Sequence, residues 1–363
     1  MPDRRRFLIK AAGAAAVGAA VIANAPRVIA QPKVQWRMST AWTAANDILQ
    51  GAAQQLAKLV EEMTDGRFRI EVFPGGQIMP QFACFDATSQ GTIEAFMGSG
   101  QYWRDKEPAL EWFTTIPFGM NPAGMAAWYY QGDGLKLSSE AFAAFNVVPR
   151  PGSGHAPQMA GWFRKKINTI GDYKGLKMRI PNLGGKVVAR AGGTTVLTPS
   201  GEIYAALERG VIDASEWIGP HDDMKLGLHK TARYYYYPGW HEPGSTLWFG
   251  FNRKAYEALP VAWQRTIDHV AAAVHTYSTA EYHAKNAVAL ERLRTEFKST
   301  VEMVQLPVPV LRDLRKLSAD VVREESEKSP MARKTHASFT KFQAVVGPWD
   351  HVAEGAYHQL VST

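Results

Sequence analysis

Leu176-Lys177-Met178-Arg179-Ile180-Pro181-Asn182 places one arginine in the middle of an apolar, strand-like run. Upstream, Ile167-Asn168-Thr169-Ile170-Gly171-Asp172-Tyr173-Lys174-Gly175 supplies the turn that introduces it, and downstream Gly184-Gly185 opens a helical segment. An arginine in such a strand faces a core or a cleft. Its guanidinium is not deprotonated in a protein and leaves water only against a partner, best of all a carboxylate held by two parallel N–H bonds. Arg179 therefore has two readings: a buried salt bridge within the protein, or a clamp on the carboxylate of a ligand.

On the N-terminal side the pattern alternates between strand and helix. Val34-Gln35-Trp36-Arg37-Met38-Ser39 alternates as a strand, Asp47 through Met63 repeats apolar residues at helical spacing and closes on Thr64-Asp65-Gly66, and residues 67–73 alternate again. Strand, helix and strand in succession predict a βαβ unit and an α/β fold. A turn at Pro74-Gly75-Gly76 follows, then a helix ending at Gln90-Gly91 and a short strand, 92–97, leading to Gly98-Ser99-Gly100-Gln101-Tyr102-Trp103. The same device returns after Arg179: residues 203–210 form a helix closed by Gly210, and 211–218 form the strand after it. The repetition predicts two similar lobes. Ligands in open α/β sheets lie at the carboxyl ends of strands, so Tyr102 and Trp103 are expected to face Glu216 and Trp217 across a cleft. Core packing is the alternative for these aromatic rings.

The first thirty residues read as an address. Arg4-Arg5-Arg6-Phe7-Leu8 supplies a twin arginine, residues 11–25 are small and apolar, and Val28-Ile29-Ala30 offers a peptidase site. The apolar run is shorter than the roughly 20 residues that span a bilayer. Residues 1–30 are thus expected to be a twin-arginine signal peptide, cleaved near Ala30, that delivers the folded protein to the periplasm. The leader carries five Lys/Arg and one acid of the 41 and 34 in the chain, which leaves the mature protein near +3. No basic stripe argues for nucleic acid. Cys84 is the only cysteine, so an intrachain disulfide is excluded, and its setting, Phe82-Ala83-Cys84-Phe85, reads as a small buried hydrophobe.

Several blocks, in order along nearly the whole mature chain, resemble the solute-binding proteins of TRAP transporters. They are residues 64–77, residues 170–181 around Arg179, Ile203-Tyr204-Ala205-Ala206-Leu207 with Gly210-Val211-Ile212-Asp213, and Phe251-Asn252-Arg253-Lys254-Ala255-Tyr256 before Leu259-Pro260. Each block alone is weak; the set is specific. The resemblance implies a two-lobed periplasmic binding protein fold that closes on an organic anion, with Arg179 clamping its carboxylate. Within the family the sequence is most similar to the α-keto acid-binding branch, which binds its ligand together with a metal ion. That branch's metal ligands would fall on Gln158, on Glu216 and the Trp217 backbone carbonyl, and on Glu242 in Trp240-His241-Glu242-Pro243. An amide oxygen, carboxylates and a carbonyl suit hard cations, Na⁺ first or Ca²⁺ as the alternative, and suit Zn²⁺ poorly.

A charge count makes a cation plausible. Glu216, Glu242 and a monoanionic ligand bring three negative charges against the one positive charge of Arg179, so a monovalent ion leaves one uncompensated and a divalent ion none. Each acid taken alone reads as an ordinary rim residue. A 2-oxo acid such as pyruvate, or a 2-hydroxy acid such as lactate, offers a cation both its carboxylate and the adjacent oxygen. Gln158 and Asn182 are further candidates for ligand oxygens, Asn182 with a turn or helix cap as its alternative. Side-chain volume around Tyr102, Trp103, Trp217 and Trp248 would set the length of the acid. Tyr234-Tyr235-Tyr236-Tyr237 reads as core and surface filling of a strand. His155, His221, His229 and His241 show no metal-binding spacing.

Residues 261–297 keep an apolar periodicity with almost no breaker, which predicts one long helix spanning the backs of both lobes. A strand at 301–306 and a helix at 309–327 follow, then helical segments at 332–346 and 350–360 separated by a Gly347-Pro348 break. The expected organisation is lobe I from 31–156 and 243–283, lobe II from 157–242 and 284–330, and an extension, 331–363. The family branch uses such an extension to embrace a second subunit, so a homodimer is expected, with packing on its own lobe as the alternative. Three functions are consistent with the residues: delivery of a small monocarboxylate to a TRAP membrane permease, a metal-dependent hydrolase or lyase using Glu216 and Glu242, and presentation of ligand to a sensor. The chain has no Gly-x-Ser-x-Gly elbow, Walker loop or His-Glu-x-x-His motif, which disfavours the enzyme.

Overall fold

The chain builds two sheets and passes between them more than once, and those passages carry the site. A computed structural model describes residues 33–361; the expected leader and its cleavage site lie outside them. Sheet I has the order β2-β1-β3-β10-β4, from Phe68–Phe73, Val34–Thr40, Ala95–Gly98, Ser245–Asn252 and Val147–His155. Sheet II has the order β11-β9-β5-β8-β6-β7, from Glu302–Gln305, Tyr234–Tyr237, Gly161–Phe163, Ala214–Ser215, Lys177–Arg179 and Thr194–Val196. In sheet I, β1 is parallel to β3, while β10 is antiparallel to both β3 and β4. In sheet II, β6 is parallel to β7 and β8, and β5 is antiparallel to β8 and β9. The result is the two-lobed α/β fold expected from the repeated helix–glycine–strand device. At the two copies of that device, Gly91 and Gly210 adopt φ of +77° and +71°, which an L side chain resists.

Helices cover the sheets because their apolar residues recur on one face. In Asp47–Met63 the buried set includes Ile48, Leu49, Ala52, Ala53, Leu56 and Val60, a spacing of three and four. In sheet I, Trp248 lies fully buried among Phe113, Tyr129 and Phe142, with its indole N–H donating to the Phe113 carbonyl at 2.5 Å. In sheet II, Trp162 stacks on Tyr235 at 4.0 Å. Tyr235 and Tyr236 are both buried although they point to opposite faces, because this sheet is covered on both sides.

The predicted long helix is present as Val261–Thr295. It braces both lobes: Ser278 Oγ accepts from the Gly154 amide at 3.2 Å, at the end of β4, and Asn286 Oδ1 accepts from the His221 amide at 3.0 Å, in the helix Pro220–Lys225. Among the described residues no helix is long and apolar enough to cross a membrane.

The extension differs from its sequence reading. Gly347-Pro348 does not break the helix; Pro330–Asp350 runs through it, and a π-helical turn, His351–Gly355, follows before Ala356–Val361. Proline removes one backbone hydrogen bond and crowds the carbonyl four residues back, which a helix can absorb in a local change of winding. The first half of this helix packs on its own lobe: Phe339 is buried edge-on to Trp128 at 5.3 Å, Trp128 donates to Ser338 Oγ at 3.2 Å, and Gln343 donates to the Phe118 carbonyl at 3.2 Å. Beyond it Val345, Trp349, Val352, Tyr357 and Leu360 are exposed.

Candidate functional site

Four backbone segments converge between the sheets. Two are the passages from β4 to β5, carrying Gln158, and from β9 to β10, carrying His241 and Glu242; the others are the carboxyl ends of β6, at Arg179, and of β8, before Glu216 and Trp217. The passages are tied to each other, since the Gln158 amide donates to the Glu242 carbonyl at 3.1 Å and the Gly239 amide to the Gln158 carbonyl at 2.9 Å. A Cβ at Gly239 would collide with that carbonyl, so the approach requires glycine. The strand end at Glu216 is fixed from below. Asp223 accepts from the Ile218 amide at 3.1 Å, from Trp162 Nε1 at 2.9 Å and from the Tyr235 hydroxyl at 2.8 Å.

The side chains that meet there are charged and almost wholly withdrawn from water. Arg179 is 2% exposed, Glu216 1%, His241 2% and Glu242 3%. Arg179 Nη1 pairs with Glu216 Oε1 and also donates to the Glu216 carbonyl at 3.2 Å, while Nε donates to the Thr198 carbonyl at 3.2 Å. The guanidinium lies over the Trp217 ring at 4.9 Å. Of the two readings of this arginine, the structure thus contains the buried salt bridge. Glu242 takes Gln101 Nε2 on one oxygen at 3.0 Å, and Gln158 Nε2 at 2.8 Å and the Ser245 hydroxyl at 2.7 Å on the other. His241 Nε2 sits 3.1 Å from Gln158 Oε1 and 3.3 Å from Glu216 Oε2. Both neighbours accept, so Nε2 carries the proton, and the buried Nδ1 meets no polar partner.

Tyr102 and His155 complete the wall. Burial pushes the Tyr102 hydroxyl up to about 12, against the opposing charge of Arg179, so it remains a donor; it already accepts from Trp42 Nε1 at 3.2 Å. Burial lowers the His155 pKa, although Glu242 opposes the shift, and its Nδ1–H donates to the Ala156 carbonyl at 2.9 Å. The cavity among these groups is about 20 Å³, room for one water. Its lining includes Tyr102, Gln158, Arg179, Glu216, Trp217 and Glu242.

Three residues predicted for the site lie elsewhere. Trp103 packs its six-membered ring against Gly98 and stacks on Phe85 at 4.8 Å, with its indole N–H on the Phe82 carbonyl at 2.9 Å, so it belongs to the core of lobe I. Trp248 is core as well, because alternation along β10 turns Leu247, not Trp248, to the cavity. Asn182 begins the helix Asn182–Arg190 at φ +50° and does not line the cavity. Sequence reasoning missed His241 and Gln101. His241 was visible beside Glu242, but it comes to Glu216 and Gln158 through the passage geometry and not through any helical spacing.

Na⁺ and Ca²⁺ were expected from the resemblance, and the residues fit such an ion. Ligand atoms of Glu216, His241 and Glu242 lie within 4.8 Å of one another, and with Gln158 Oε1 the carboxylates form a buried oxygen-rich set. The buried Trp217 Nε1–H, which has no hydrogen-bond partner, is a donor left for a ligand.

Comparison with known proteins places the chain in a family. The profile of bacterial extracellular solute-binding protein family 7 (DctP) matches residues 38–329. A monocarboxylate 2-oxoacid-binding periplasmic protein of Nostoc is 40% identical over 332 residues, 92% of this chain and 90% of the relative. A TRAP transporter solute-binding protein of Bordetella bronchiseptica, a mixed-occupancy dimer with calcium and picolinate in one site, superposes with a TM-score of 0.87 at 38% identity, covering 90% of this chain and 96% of that one. A TRAP periplasmic solute-binding protein of Pseudoalteromonas atlantica with bound sodium and pyruvate gives 0.87 at 35% identity, covering 90% and 99%. The chain belongs to bacterial extracellular solute-binding protein family 7, the DctP family of TRAP solute-binding proteins.

Proposed function

We propose that the protein captures a small 2-oxo monocarboxylate, pyruvate or a similar α-keto acid, together with Na⁺ or Ca²⁺, and delivers it to a TRAP membrane permease from the periplasm. The observation that carries this reading is the buried convergence of Arg179 with Gln158, Glu216 and Glu242 from four separate segments. Relatives that bind 2-oxoacids, or pyruvate with sodium, support it. Arg179 would take the carboxylate through its Nη groups, with Tyr102 and the Trp217 indole N–H as further donors. Gln158 Oε1, Glu216, the Trp217 carbonyl and Glu242 would hold the cation. When bound, the cation would supply the positive charge that two buried carboxylates and an anionic ligand require, and a coordination position for the ligand's keto oxygen. Export by the twin-arginine leader with cleavage near Ala30, the lobe boundaries at 156/157 and 242/243, and a homodimer are part of the same proposal. The exposed apolar run from Val345 to Leu360 supports the dimer.

The test is calorimetric titration of the mature protein in Ca²⁺ with pyruvate, lactate and propionate. Pyruvate should bind most tightly, propionate at least tenfold more weakly because it lacks the second oxygen, and the pyruvate should be recovered unchanged. Equal binding of propionate, or turnover of pyruvate, would contradict the proposal.

A further inference from the structure

We infer that capture runs through an exchange of partners at Arg179, in which the guanidinium passes from Glu216 to the ligand carboxylate as the cation takes over Glu216. This rests on the ternary site proposed above and adds what couples its two ligands. Four observations carry it. Arg179 Nη1 is committed to Glu216, through both the carboxylate and the carbonyl. Nε is held separately, by the Thr198 carbonyl at 3.2 Å, and the Trp217 ring lies 4.9 Å from the guanidinium carbon, a face over which the planar group can pivot as a unit without leaving the site. Glu216 has a second hold, its Oε2 lying 3.3 Å from His241 Nε2, and stays in place when the arginine leaves. The cavity of about 20 Å³ has room for one water and none for a carboxylate in the arrangement in which Arg179 pairs with Glu216.

Charge gives the exchange its direction. An anion arriving alone takes Arg179 and strands Glu216, a buried carboxylate, without a counter-charge. A cation arriving alone shares Glu216 with an arginine that still repels it. Arriving together, each carboxylate gains its own positive partner. Each ligand therefore raises the affinity for the other, by one and the same factor.

Glu216 and Glu242 differ in this respect. Both are candidate cation ligands, but only Glu216 holds Arg179; the oxygens of Glu242 are taken by Gln101, Gln158 and Ser245. Glu216→Gln should therefore release the arginine, and Glu242→Gln should not. The experiment is titration of wild type, E216Q and E242Q with pyruvate, in chelator and in saturating Ca²⁺, after thermal melts show each variant folded. In wild type, Ca²⁺ should tighten pyruvate by about tenfold or more. In chelator, E216Q should bind pyruvate more tightly than wild type and respond little to added Ca²⁺, while E242Q gains nothing in chelator. E216Q binding no better than wild type in chelator, or the two variants behaving alike, would overturn the exchange and leave the ternary site standing. A wild-type coupling near unity would overturn it without recourse to any variant. Wild type failing to bind pyruvate under any condition would overturn the ternary site and the exchange together.

Discussion

Arg179 is 2% exposed, so any change there acts on a charge that has no water to fall back on. Arg179→Ala should abolish pyruvate binding, at a loss of about 2–5 kcal/mol, as for truncating one member of a buried charge pair. Arg179→Lys keeps the charge but not the fork, and should weaken binding roughly 10- to 100-fold, the value of one charge-assisted hydrogen bond. Titration calorimetry checks both. A second residue tests the pH dependence of the fold. Asp222 is fully buried near Tyr282 and Asn46, makes no well-formed hydrogen bond, and burial raises it from 3.8 to about 7. Its folded pKa lies above its unfolded one, so its full contribution is present below about pH 4 and is lost as pH rises toward 7. Asp222→Asn should thus be neutral at pH 4 and stabilising by up to about 4 kcal/mol at pH 8, in chemical denaturation at the two pH values. At this scale the sequence was legible where chemistry is rare in its setting: an arginine in an apolar strand, acids beside tryptophans. It was not legible for Trp103 and Trp248, because an aromatic on a strand or after a glycine run has the same pattern whether it faces a cleft or a core.

Among the elements, Asp47–Met63 ends where its pattern ends, and Val261–Thr295 stops two residues short of its predicted end, since apolar spacing dictates a helix that buries one face. The passages between the sheets were not readable in that way. Segments 156–160 and 238–244 have no periodicity, and their meeting depends on tertiary contacts such as the Gly239 amide on the Gln158 carbonyl. Pro348 shows the converse, a local breaker signal outweighed by the continuing helix. The packing of Pro330–Asp350 on its own lobe has a direct test. Phe339 is 1% exposed, and Phe339→Ala should destabilise the protein by about 3 kcal/mol in urea unfolding while leaving ligand affinity within about twofold. A large change in affinity would mean that this helix communicates with the cleft.

For the whole molecule, the site is a product of the topology. β4 and β10 lie in one sheet and β5 and β9 in the other, so Gln158 and Glu242 ride on the strands that connect the lobes, and separation of the lobes would pull Arg179 and Glu216 away from them. Closure of the lobes would then assemble the ligand set. The exposed run Val345, Trp349, Val352, Tyr357 and Leu360 belongs to the same scale. Light scattering of the mature protein should give the mass of a dimer, and a chain truncated after Gln343 should give that of a monomer. The most direct test of the account is a crystal structure of the mature protein grown with Ca²⁺ and pyruvate, the ion located by anomalous scattering. The account predicts the ion within about 2.3–2.6 Å of Gln158 Oε1, Glu216, the Trp217 carbonyl and Glu242, with both Nη groups of Arg179 on the pyruvate carboxylate. An ion outside this set, or Arg179 still paired with Glu216 in a pyruvate-bound cleft, would contradict it.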